Sequence, residues 1–167
     1  VDEACMLLQS YSIIFGTAFG FVMFHFMVAD ASGKSVIIEY IGNEMKIVRK
    51  NGNYQVMTNF YISDRNIKWP NPVPGCGGYD RYEAVVHDLK AGGISNADGI
   101  YSILKKVSLH DWIYEGHAYN TLFSNVYALK TGELHLVYDK KYHNVNSFQL
   151  DNELKKGVHC YNMQDLL

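Results

Sequence analysis

Cysteine is scarce in this sequence: Cys5, Cys76 and Cys160 are an odd number with no CxxC spacing. That argues against a disulfide framework and against structural zinc, and it fits a reducing cytoplasm. None of the seven histidines stands at a metal-ligand spacing, since His110-Asp111, His117 and His143 are scattered, so neither a metal nor a cofactor is expected. No GxSxG elbow or Walker-type loop is present, and Pro74-Gly75-Cys76-Gly77-Gly78 shares only its glycine content with a phosphate loop. Lys and Arg never cluster and the net charge is −2, so nucleic acid is not an expected partner. Charge is missing altogether between Glu3 and Asp30. A membrane helix needs roughly 20 predominantly apolar residues. Here Gln9, Ser10, Tyr11, Ser12, Thr17 and His25 interrupt the run, and Gly16 and Gly20 weaken a helix, so no membrane span is expected. No signal peptide is visible, and a first residue of Val rather than Met leads us to expect that the true N-terminus is missing.

What is present has the balance of a globular protein, 48% hydrophobic and 19% charged, and the length suits one domain with a real core. Thirteen Tyr and eight Phe favour sheet. The chain is organised around Phe24–Tyr40, where two apolar runs, Val22–Ala29 and Ser35–Ile41, flank Asp30-Ala31-Ser32-Gly33-Lys34. Asp and Ser can bond their own backbone, and Gly33 can take the positive φ of a short turn. Both runs are apolar on both faces of the pleat, which predicts a hairpin covered on both sides. A helix is expected over Val1–Tyr11 and a loop within Ile13–Phe21. Glu44–Lys50 and Tyr54–Thr58 extend the hairpin into a four-stranded antiparallel meander, with Asn51-Gly52 as its last turn. Pro70, Pro72 and Pro74 mark a long loop over Asn59–Pro74. Helices follow at Tyr79–Ala91, stopped by Gly92-Gly93, and at Gly99–Val107, with Asn96-Ala97-Asp98 as its capping stretch. Ser108–Asn120 reads as irregular. Thr121–Leu129 and Glu133–Tyr138 form a hairpin, Val145–Leu150 a last strand, and the remainder a polar tail.

Several of these pieces come in a distinctive order: FHFMVADASGKSVIIEY, then VMTNF, then Arg81-Tyr82 opening a helix, then SNVYALKTGELHLVYDKKYHNVNSFQL. Together they resemble the C-terminal half of the choloylglycine hydrolase family, the linear amide C–N hydrolases that include conjugated bile salt hydrolases and penicillin V acylases. The resemblance covers most of Val1–Leu150. It implies an α+β fold of the N-terminal-nucleophile hydrolase type, an αββα sandwich that is present here only in part. It also implies a nucleophilic Cys, exposed as a first residue and using its own α-amine as general base. Nothing in this chain matches that half of the family, so the nucleophile is expected to lie outside it.

Two site positions carry over by motif. Asn59, in Met57-Thr58-Asn59, matches the family Asn whose side-chain amide helps form the oxyanion hole; its competing reading is a residue that ends a strand and starts a turn. Arg81 matches the family Arg near the catalytic Cys, although the usual Ser-rich approach is replaced by Gly77-Gly78-Tyr79-Asp80. Its competing reading is a surface Arg pairing with Asp80 or Glu83. Cys5 falls in the apolar pattern of the first helix and reads as core. Cys76 reads as a loop thiol close to Arg81, and Cys160 with His159 points apart on an extended chain.

The expectation is therefore residues 1–167 as a single domain, the C-terminal part of a larger hydrolase acting on a small-molecule amide such as a bile salt or penicillin V. An acyltransferase of the isopenicillin N type, or an inactive module that binds a ligand or a partner, are the alternatives. Its expected partners are the missing N-terminal part of the same protein and, through exposed sheet edges and faces, copies of itself as a homo-oligomer.

Overall fold

The structure, a computed structural model, describes residues 1–13, 25–42, 44–64, 78–92, 94, 96–114 and 116–166. The loop expected within 14–21, the strand start at 22–24, the proline-rich stretch from 65 onward and the thiol of Cys76 lie outside the described residues. The chain divides into two compact units, Val1–Val86 and His87–Leu167. Mixed α and β structure with antiparallel sheets is found throughout, with four α-helices among the described residues.

In the first unit, α1 (Asp2–Gln9) opens with two acids where the helix dipole favours them. Three strands follow in the order β1 (His25–Ala29), β2 (Ser35–Ile41) and β3 (Glu44–Arg49), antiparallel and adjacent in sequence. The β1–β2 turn closes as the residues dictate. Ser32 N–H donates to Asp30 Oδ1 at 2.9 Å, Gly33 N–H donates to Asp30 O at 3.0 Å, and Gly33 takes φ +84°. The Ser32 hydroxyl, and then the amino group of Val1, hold the Asp30 carboxyl down at about 2.

The two faces of β2 do different work. Alternation puts Val36, Ile38 and Tyr40 on one face, and there Cys5 of α1 packs against Val36 and Ile38. Ile37 and Glu39 lie on the other face and are fully buried. Cys5 is thus a core residue, as its place in the helical pattern predicts. Two expectations need correction. Residues 54–58 form no strand, so the meander has three strands rather than four. This segment is tied down by a side chain instead: Gln55 donates to Val48 O at 2.9 Å and accepts from Ser35 Oγ at 2.7 Å. The two-sided cover holds for β2 but not for β1, where Phe26 and Met27, on opposite faces of the pleat, are each 38% exposed. Helix α2 (Tyr79–Ala91) has the bounds the sequence suggests and is followed by Gly92 at φ +77°.

The second unit holds α3 (Ala97–Lys106), capped by Asn96 Oδ1 accepting from Gly99 N–H at 3.1 Å. Its stretch read as irregular contains a short hairpin, β4 (Trp112–Tyr114) and β5 (His117–Tyr119), turned at Gly116 with φ +78°. Trp112 and Tyr119 face each other across it, 5.4 Å between ring centres. Strands β6 (Phe123–Ala128), β7 (Glu133–Tyr138) and β8 (Asn146–Gln149) form the second three-stranded sheet, with Val137 fully buried. The tail expected to be merely polar is ordered as α4 (Leu150–Lys155) and a 3-10 turn at Met163–Leu166. No helix among the described residues is long and apolar enough to cross a membrane.

Candidate functional site

The site is built where the segment that follows β3 meets the start of α2. Arg81 Nη2 donates to Asn59 Oδ1 at 3.0 Å, so the structure brings together the two residues singled out from the sequence. Arg81 pairs with neither Asp80 nor Glu83 in this contact. A guanidinium can only donate, so the amide atom facing it must be the oxygen. The Asn59 NH2 group, with its two donors, is then turned elsewhere. Asn59 is exposed, and Arg81 Nε is buried with no hydrogen-bond partner among the described residues. The pair therefore presents N–H donors and one fixed positive charge.

Arg81 stands in the first turn of α2, where the helix dipole disfavours a cation. Helix stability does not explain its position; the bond to Asn59 does. The two segments are joined next door by Thr58 Oγ1, which donates to Gly78 O at 2.8 Å, and the same carbonyl accepts the first helical bond from Tyr82 N–H at 2.9 Å. Gly78 sits at φ +69° with Asn59 N 2.8 Å from where a Cβ would be, so only glycine fits this approach. Phe60 packs its ring 5.5 Å from Tyr79 and 5.2 Å from Tyr82, forming an aromatic flank beside the polar pair.

Beyond Phe60 the chain is pinned to the sheet. Tyr61 is buried and its hydroxyl donates to Tyr40 O at 2.8 Å. The Glu39 carboxylate accepts from Ile62 N–H at 2.6 Å, from Ser63 N–H at 2.9 Å and from the Ser63 hydroxyl. Burying a carboxylate is costly unless such donors replace water. His25, directly across from Glu39 in the β1–β2 register, places Nδ1 3.6 Å from Glu39 Oε1 and its ring edge-on to Tyr61.

Sequence reasoning found Asn59 and Arg81 but missed Thr58, Gly78 and Glu39. For Glu39 a signal existed: it is the one charge inside a run otherwise apolar on both faces. For Thr58 and Gly78 there was none, because their contact joins residues 20 apart in sequence. The second unit carries a cavity of about 230 Å3 lined by Tyr127, Leu129, Leu134, Phe148 and Leu150, but Glu153 at its wall is turned to Lys156, Tyr161 and His159. It lacks the converging polar groups that a reaction site needs. Among the described residues no cluster of three or more His, Cys, Asp or Glu could hold a metal.

This geometry suits stabilising an oxyanion by neutral amide donors beside a fixed cation. Residues 1–67 match a family of linear amide C-N hydrolases. Within that class the match is to the choloylglycine hydrolase family, the resemblance read from the sequence. The matched segment contains α1, the first sheet, the Glu39 network and Asn59; Arg81 lies beyond it. Comparison with curated proteins found no match.

Proposed function

We propose that this chain is the C-terminal part of an enzyme that hydrolyses a non-peptide linear C–N amide, with the nucleophilic Cys supplied by a segment outside these residues. The observation that supports this reading most is the Arg81–Asn59 bond at 3.0 Å. With Oδ1 engaged by Arg81, the Asn59 NH2 group is left to donate to an acyl oxygen. In the reaction the thiolate sulfur bonds to the amide carbon, and the carbonyl oxygen takes up the negative charge. Asn59 Nδ2 donates to that oxygen. The C–N bond then breaks, the amine leaves with the proton held by the α-amino group of the Cys, and water releases the acyl group. Arg81 would keep Asn59 in register and attract a substrate carboxylate through its remaining N–H groups.

Cys5 does not fit the nucleophile's role, being 4% exposed and packed against Val36 and Ile38. For the whole enzyme we propose the αββα sandwich that the family resemblance implies. We place the enzyme in the cytoplasm, and its exposed strand β1 suits pairing with the missing part or with a second copy. The test is turnover of a glycine-conjugated bile salt and of penicillin V by the chain joined to its Cys-bearing segment. Release of glycine or of phenoxyacetate supports the proposal. Product formation only when a free amine acceptor is added would make the enzyme an acyltransferase. No reaction with either substrate under both conditions would leave a binding module.

A further inference from the structure

We infer that Glu39 is a positioning residue for Asn59, a clamp that sets the oxyanion donor from the opposite end of its segment; this rests on the reading of Asn59 given above. Asn59 and Phe60 span a gap between two anchors. On one side Thr58 is bonded to Gly78 O. On the other, residues 61–63 are fastened to β2 by the Tyr61 hydroxyl and by three donors converging on the Glu39 carboxylate. With both ends held and Arg81 on its side chain, Asn59 has little freedom left.

The Glu39 carboxylate serves stability by satisfying the Ile62 and Ser63 N–H groups, and the same bonds fix where residues 62 and 63 sit. Glu39 is fully buried; of its two cross-strand neighbours, Lys46 on β3 bonds Glu44 instead, and His25 on β1 places Nδ1 3.6 Å from the carboxylate. Buried ionic groups replaced by well-packed apolar ones often leave stability unchanged or raised. An apolar residue, however, cannot accept two backbone N–H groups at once, and residues 62 and 63 would lose their seat. What the carboxylate also supplies is location, and a displacement of about 1 Å at a reacting centre can lower a rate by roughly 100-fold.

The experiment uses Glu39→Gln and Ser63→Ala in the Cys-bearing protein, read by steady-state kinetics on the two amides and by NMR of the Asn59 side-chain amide. Gln keeps the shape and one acceptor but turns an NH2 toward the donors. The expected result is a kcat lower by about 10- to 100-fold with KM nearly unchanged in Glu39→Gln, and a drop of a few-fold in Ser63→Ala. The Asn59 amide signals should move in both variants while cooperative unfolding is retained. Unchanged kcat with unmoved Asn59 signals would overturn the clamp. If the parent enzyme turns over neither amide, the hydrolase reading falls by itself, and the Asn59 signals still decide whether Glu39 sets this residue. Should Glu39→Gln fail to fold, Ser63→Ala decides by the same two readouts.

Discussion

Gly78 is the tightest joint of the site, and the side chain it lacks is what lets the two segments meet. A Cβ added there would lie 2.8 Å from Asn59 N and 3.1 Å from Thr58 Cβ, at a φ of +69° that an L side chain rarely adopts. Neither neighbour is the loose end of a long side chain, so the backbone would have to shift. Gly78→Ala should destabilise the protein by about 1–3 kcal/mol and lower kcat by moving Asn59. Denaturant midpoints and turnover measured on the same preparation check this. An unchanged midpoint with full activity would mean that the approach of Gly78 to Asn59 is not as tight as described. Arg81 acts at the same joint, since its donation to Asn59 Oδ1 decides which end of the Asn59 amide is turned away from it.

Local elements were legible where their causes were local. The Asp30–Lys34 turn, the Asn96 cap and the bounds of α2 all rest on residues within a few positions of one another. Tyr54–Thr58 was misread because its alternation and the Asn-Gly turn suit a strand, while Gln55 holds it through a side chain that no pattern reveals. Asn59 and Arg81 are readable only through the resemblance; Glu39 escapes the sequence reading, although it is the one charge in its run. The tail reads in the sequence only as polar, because its order depends on a charge cluster. Glu153 is held at about 2, below the usual 4.5, by bonds from Lys156 first and then Tyr161 and His159. His159 is raised above 6.5, first by its bond to Gly157 O and then by Glu153. The lowered Glu153 contributes fully above 4.5 and fades as pH falls toward 2. The raised His159 contributes fully below 6.5 and fades as pH rises past its folded value. Hydrogen exchange across Glu153–Tyr161, corrected for its intrinsic pH dependence, should thus be slowest between those two values and faster on either side. The groups are exposed, so added salt should flatten the profile. A profile that is flat at low salt would contradict the cluster's role.

The whole chain divides its tasks. The first unit holds Asn59, Arg81, the Glu39 clamp and all of the segment matched by the amide hydrolase family. The second unit contributes its own sheet and helices. Within the account, the chain orients and stabilises, and the attacking sulfur comes from elsewhere. Asn59→Ala measures that most directly, in the chain joined to its Cys-bearing segment and assayed on a glycine-conjugated bile salt and penicillin V. Loss of one oxyanion donor should reduce kcat by roughly 100- to 1,000-fold with little change in KM. The 167-residue chain alone should turn over neither substrate. Full kcat in Asn59→Ala, or turnover by the isolated chain, would contradict the account.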